Sequence, residues 1–183
     1  GKEDPEEFRD LLALYNRYPI CRLTLHPRVQ RDLYRIPARM EWFFWAQEES
    51  KNPLALSGGI EVASDFSREF HGHTPPEVLM LGRGLAADPS LVNKLRGQPG
   101  ADRDTLQRFH DELFQETAAR LGSPRSTMFR MKELWSYWIC LFGEHTHYQK
   151  QLRKTTSLTE YQAVVAHIFR ELPLLEEAEV SWV

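Results

Sequence analysis

With 183 residues, 42% of them apolar and 27% charged, the chain has material for one large or two small domains, and a net charge of −3 does not by itself point to a polyanion partner, which needs a basic surface. No apolar run approaches the roughly 20 residues of a membrane span, and the charged start Gly1-Lys2-Glu3-Asp4 is nothing like a signal peptide, so no membrane association is expected and the expected location is the cytoplasm. The two cysteines, Cys21 and Cys140, fall in different predicted elements, which excludes a disulfide framework and agrees with a reducing compartment.

The first predicted strand is Ile20-Cys21-Arg22-Leu23-Thr24-Leu25, ending in His26-Pro27-Arg28. Its alternation turns Cys21, Leu23 and Leu25 toward a covering helix, so Cys21 reads as a small apolar residue. An aromatic helix follows around Met40-Glu41-Trp42-Phe43-Phe44-Trp45-Ala46. The second strand, Leu54-Ala55-Leu56, ends in Ser57-Gly58-Gly59, and Ser64-Asp65 offers a cap for a helix through Phe66 and Phe70. The third, Val78-Leu79-Met80-Leu81, runs into Gly82-Arg83-Gly84, with Asp88-Pro89 as N-cap and first residue of the next helix. Three strand–loop–helix units in succession make parallel strands, whose carboxyl ends share one rim. His26, Arg28, Ser57, Gly58, Gly59, Gly82, Arg83 and Gly84 are expected to converge there. Glycines let backbone N–H groups approach an anion and Arg83 supplies a cationic fork, the chemistry of a phosphomonoester site, although each glycine pair taken alone also fits a plain tight turn.

The loop Gly97-Gln98-Pro99-Gly100 is the expected domain boundary, dividing residues 1–97 from 101–175, with an acidic and loose tail over 176–183. Beyond it everything reads as helix. Leu106, Phe109, Leu113 and Phe114 keep helical spacing until Gly122, and Met128, Met131, Trp135, Trp138 and Phe142 form a second stripe. A third helix spans 147–154, and Ser157-Leu158-Thr159-Glu160 is a capping box opening a fourth, with Tyr161, Val164, Val165, Ile168 and Leu172 inward. The pattern is that of a four-helix bundle, in which the Met and Trp stripe and Cys140 are core. Arg120, Arg125, Arg130, Lys132, Lys150, Arg153 and Lys154 give it a basic side; composition alone reads them as an ordinary solvated face. His71 and His73, and His145 and His147, lie two apart, but no cysteine or carboxylate cluster joins either pair, so no metal site is expected.

Leu-Thr-Leu-His-Pro-Arg at 23–28, a glycine turn after the next strand, Met-Leu-Gly-Arg-Gly-Leu at 80–85, Phe109-His110 and Met131-Lys132-Glu133-Leu134-Trp135 resemble, in order and spacing, the carboxyl-terminal part of the flavin-dependent tRNA-dihydrouridine synthases. The resemblance runs over roughly positions 1 to 170 and implies an α/β fold: the sixth to eighth strands of an FMN-binding (β/α)8 TIM barrel followed by a helical tRNA-binding domain. It puts His26 beside the flavin ring, Arg28 near flavin or substrate, and Ser57, Gly58, Gly59, Gly82 and Arg83 around the cofactor and its phosphate. It also makes Arg120, Arg125, Arg130, Lys132, Lys150, Arg153 and Lys154 the grip on the tRNA backbone, with NADPH as reductant.

Two departures stand out. The family usually shows Asn-Gly-Asp or Asn-Gly-Glu where this chain has Ser57-Gly58-Gly59, and its catalytic cysteine and flavin-contacting lysine belong to earlier strands, with Gly1 resembling the glycine that ends the fifth-strand motif. Neither Cys21 nor Cys140 replaces that proton donor, so no catalytic residue is expected in this chain. Three strands cannot close a barrel of eight, which implies either completion by the missing amino-terminal half or self-association through an open strand edge. A non-catalytic module that binds RNA or a phosphate ligand is the alternative reading; another FMN-phosphate barrel fits the strands but not the helices.

Overall fold

The computed structural model describes residues 4, 6–32 and 36–180. Gly1, likened above to the end of a fifth-strand motif, and the last residues of the acidic tail lie outside them. The chain divides into two compact units, one ending at Gly82 and the other formed by Arg83–Val180.

In the first unit, helix α1 (Glu7–Tyr15) precedes an alternation of strand and helix: β1 (Leu23–Leu25), α2 (Met40–Glu49), β2 (Leu54–Ser57), α3 (Ala63–Glu69) and β3 (Leu79–Met80). The strands form one parallel sheet in the order β1-β2-β3, with Leu25 opposite Leu56 and Leu56 opposite Leu79. Parallel neighbours need a crossover, and α2 and α3 supply the two. The core is apolar: Ala55 and Leu56 of β2 are buried, as are Phe43 and Ala46 of α2, Leu12 of α1 and Ile60. Asn52 ties the turns together, accepting from the Ile20 N–H and donating to the Tyr15 carbonyl.

The structure departs from the expectation at one point and adds detail at two others. The first strand is shorter than the apolar run, because pairing to β2 starts only at Leu23, so Cys21 is exposed instead of facing a helix. At α3, Asp65 of the expected Ser64-Asp65 cap acts from within the first turn, its carboxylate reaching back to the N–H groups of Glu61 and Val62 at 2.8 and 3.0 Å. His73 stacks flat on Phe44, with ring centroids 3.8 Å apart.

The second unit is helical: α4 (Arg83–Ala87), α5 (Leu91–Leu95), α6 (Arg103–Leu121), α7 (Pro124–Trp138), a 3-10 turn over Ile139–Leu141, α8 (Thr146–Lys154) and α9 (Leu158–Glu171). The boundary therefore lies at Gly82 and not in the loop 97–100, because α4 packs on α7 and on the 3-10 turn, burying Ala87, while Leu91 of α5 is equally enclosed. Gly82-Arg83-Gly84 is not an open loop, since Arg83 begins α4. Nor do Asp88 and Pro89 open the next helix. Buried Asp88 accepts from the Ser90 N–H and Oγ and pairs with Lys94 at 2.7 Å, and α5 starts at Leu91.

Capping explains where the long helices begin and end. Asp102 accepts the Thr105 N–H, Gly122 stops α6 in the left-handed region with φ 59°, Ser123 and Pro124 open α7, and Ser157 and Glu160 form a reciprocal capping box for α9. Arg103 reaches the carbonyls of Phe169 and Leu172, satisfying acceptors that the end of α9 leaves without helical donors. The buried stripe of α7 is Met128, Met131, Trp135 and Trp138, continued by Phe142. On α6 the inward positions are Leu106 and His110, and Phe109 is 42% exposed, because residues four apart share a face and Phe109 falls beside that line.

His110 is held in a polar chain. The Trp135 indole N–H can only donate, so the Tyr161 hydroxyl oxygen accepts it at 3.0 Å. That hydroxyl then donates to His110 Nε2 at 2.9 Å, which requires the imidazole proton on Nδ1, where it is given to Asp111 at 2.8 Å. Burial holds the His110 pKa below its ordinary value, in keeping with this neutral tautomer. The described part of the acidic tail is docked rather than loose: Leu175 donates to the Leu141 carbonyl and Glu179 to the Cys140 carbonyl, both at 2.8 Å, and Ala178 is buried.

Candidate functional site

Strand register makes the first cluster. Because Leu25 pairs with Leu56, the next residues, His26 and Ser57, meet at the carboxyl ends of β1 and β2, with His26 Nδ1 3.3 Å from Ser57 Oγ. The chain then passes through Gly58 and Gly59 with φ 81° and 83°, a pair of left-handed conformations that L side chains rarely adopt. A Cβ on Gly58 would lie 2.5 Å from His26 Cε1, so the imidazole rests directly on glycine backbone. A Cβ on Gly59 would lie 3.3 Å from Ala38 and 3.4 Å from the Met40 sulfur, so this loop threads closely past the start of α2.

His26 also lines a small solvent-open crevice. Phe8, Leu25 and Trp42 form apolar walls, and Arg28 and Arg39 bring guanidinium groups. The loop is braced from within. Asp32, only 2% exposed, accepts the Val29 N–H at 2.9 Å and both terminal nitrogens of Arg39. The Arg39 guanidinium beside it holds the Asp32 carboxyl below the usual carboxylate range, so that charge is matched within the wall. Arg28 donates its backbone N–H to the His26 carbonyl at 2.7 Å, which makes a tight turn that sets the two side chains on the same crevice. An imidazole, an arginine and flat glycine backbone suit an anionic or polar planar ligand.

The structure thus brings together His26, Arg28, Ser57 and Gly58, with Gly59 against the base of α2. Gly82 closes the first unit, in open space on its Cβ side, and Arg83 opens α4 in the second. Sequence reasoning missed Arg39, Asp32 and Trp42. Trp42 stands in the aromatic helix that was legible, but nothing in the pattern shows that Asp32 pairs with Arg39.

The basic residues of the second unit separate into kinds. Arg120, Arg125, Lys150, Arg153 and Lys154 are exposed. Arg130 is engaged with Glu133 at 2.6 Å. Lys132 is half-buried, its ammonium donating to the carbonyls of Arg153 and Thr155 at 2.9 Å each, and burial lowers its pKa. Among the described residues no three His, Cys, Asp or Glu side chains gather as for a metal ion, and no helix is long and apolar enough to cross a membrane.

No family model matches the chain. Curated relatives do. It is 32% identical to the tRNA-dihydrouridine(16) synthase of Pseudomonas putida over 120 residues, which is 61% of this chain and 36% of that protein. The synthases of the same name from Neisseria meningitidis serogroup B and Shewanella oneidensis are 21% and 28% identical over 94% and 85% of this chain, and 53% and 50% of their own lengths. Over the matched part of its length the chain is a relative of the tRNA-dihydrouridine synthases. It spans about half the length, or less, of the curated relatives it matches. The matched stretch takes in both the three-stranded parallel sheet and the helical unit.

Proposed function

We propose that the chain is the last part of a flavin-dependent tRNA-dihydrouridine synthase: three strands of a (β/α)8 TIM barrel that supply one side of an FMN pocket, and a four-helix bundle that holds tRNA. The single observation that carries this is the meeting of His26, Ser57 and Gly58 at the carboxyl ends of neighbouring parallel strands, beside Arg28. The residues fit the cofactor. Gly58 leaves a flat surface under the imidazole, Arg28 and His26 offer donors to an anion or a ring carbonyl, and the buried Asp32 carboxylate behind them is already matched by Arg39. The chemistry FMN supplies when bound is hydride transfer to the uracil ring, with NADPH as electron source.

In this reading Gly58, Gly59 and Gly82 let the backbone approach the cofactor, Ser57 and Gly58 fix the plane of His26, and His26 donates a hydrogen bond to flavin or uridine. Arg28 neutralises negative charge at the rim. Phe8 and Trp42 exclude water from one wall, which strengthens those polar contacts. Neither cysteine serves as proton donor here: Cys21 is exposed ahead of β1, and Cys140 is buried among α7's neighbours with its thiol pKa pushed up by burial. That donor and the remaining strands are assigned to polypeptide beyond these residues or to association through the outer strands β1 and β3.

The test is direct. FMN fluorescence is titrated with the purified chain, and binding of an unmodified tRNA transcript is followed by gel shift. Quenching that weakens at least tenfold in His26→Ala and Arg28→Ala, together with a tRNA shift, is the expected result. A colourless, folded protein that shifts tRNA supports a non-catalytic RNA-binding module instead, and one that binds neither ligand ends the reading.

A further inference from the structure

We propose that an unpaired RNA base stacks on Phe129, with Arg125, Arg153 and Lys154 contacting the phosphates beside it; this rests on the tRNA-binding reading above and names where on the helical unit a base would sit. The core stripe of α7 is complete without Phe129, since Met128, Met131, Trp135 and Trp138 fill the inward face. One residue further round, about 100° away on the helical wheel, Phe129 points outward and is 52% exposed. A phenyl ring left half in water gains little from folding, so packing gives no reason for it.

Its surroundings give one. The Arg125 guanidinium carbon is 5.7 Å from the ring centroid and the Lys132 ammonium 5.5 Å, at i−4 and i+3 on the same helical face. Lys132 is fixed by the carbonyls of Arg153 and Thr155, which brings the end of α8 alongside, where Arg153 and Lys154 are both exposed. Arg130 is excluded from the count because Glu133 already holds it. An exposed aromatic face flanked by cations from two helices is the arrangement that binds single-stranded nucleic acid: the ring takes a base by stacking, and the cations take the backbone on either side. A docking protein would meet one isolated ring among positive charges, whereas a polyanion with planar bases matches both features.

The test uses the full chain, labelled unmodified tRNA, a single-stranded RNA and an RNA duplex of the same length, in fluorescence anisotropy across a salt series. Phe129→Ala and Phe129→Leu are expected to weaken binding to tRNA and to the single strand about 5- to 100-fold and to leave duplex binding unchanged, because duplex bases are already stacked. The slope of log Kd against log salt stays as in the wild type for Phe129 variants, whereas Arg125→Ala lowers it by about 1. Phe129→Trp restores binding, which separates lost stacking from a damaged fold. If wild-type protein binds tRNA and Phe129→Ala binds it equally well, or loses duplex binding to the same degree, the stacking site is overturned while the tRNA reading stands. If the wild type binds no tRNA, both fall.

Discussion

Tyr161→Phe removes one oxygen from the centre of the helical unit and is expected to be expensive. That oxygen accepts from Trp135 Nε1 and donates to His110 Nε2, and the three residues are 0%, 1% and 4% exposed for Tyr161, Trp135 and His110. Phenylalanine fills nearly the same volume, so the cavity left is small. The cost is electrostatic: one buried donor and one buried acceptor lose their partners with no water to replace them. At about 1–2 kcal/mol for each orphaned group, the variant is expected to lose about 2–4 kcal/mol, a large share of the roughly 5–15 kcal/mol that holds a domain. With an m-value of about 2 kcal/mol/M, the urea midpoint of the transition that quenches Trp135 and Trp138 falls by about 1–2 M. A Tyr161→Phe midpoint within about 0.3 M of wild type, on the same slope, refutes the hydrogen-bonded chain and with it the Nδ1–H tautomer assigned to His110.

Other expectations are as specific. Gly58→Ala places a Cβ 2.5 Å from the His26 ring at φ 81°, whereas Gly72→Ala has φ 78° and nothing within 4 Å. Both lose the backbone term of about 1–2 kcal/mol, but only Gly58→Ala moves the His26 imidazole resonances in an NMR spectrum; equal spectra would contradict the packing of ring on glycine. Tyr148, Arg170 and His167 hold the Glu171 carboxyl at about 2, below its ordinary value of 4.5, so its contribution is present above pH 4.5 and lost as pH falls from there toward 2. Glu171→Gln is expected to flatten that part of the stability-versus-pH curve, and an unchanged curve would count against the cluster. His110 adds a second acid loss beginning higher: its folded pKa lies below 6.5, so as pH falls through 6.5 the unfolded chain takes up a proton the folded one refuses, and stability declines. In a thiol-reagent time course Cys21 reacts at once and Cys140 only on unfolding; two fast thiols would show that the core around Cys140 opens.

Much of this was legible in the sequence because single residues carried it. Met128, Met131, Trp135 and Trp138 spell a buried helix face at the right period, Ser157 and Glu160 spell a cap, and Gly122 with Ser123-Pro124 spells a stop followed by a start. The strand ends at His26 and Ser57 were equally readable, since register brings together whatever follows two paired apolar runs. What escaped depends on competition between neighbours. Asp88 and Asp65 are both acceptable caps by composition, and their carboxylates are set by ion pairs with Lys94 on the following helix and with Arg68 one turn along the same helix. Phe109 and His110 were misordered because an apolar scale ranks phenylalanine first, while Tyr161 and Asp111 give the histidine a satisfied place inside.

The closing stretch of the described chain works as a clasp. Leu174 bridges to Phe142, and the next few amides take up the carbonyls of Leu141 and Cys140 where α7 gives way to its 3-10 turn. Those acceptors have run out of helix, so an expression variant trimmed after position 172 would strip the lid from Phe142 and leave two peptide oxygens facing water beside the tryptophans. The residues that look most dispensable in this protein are thus the ones that finish its second hydrophobic core.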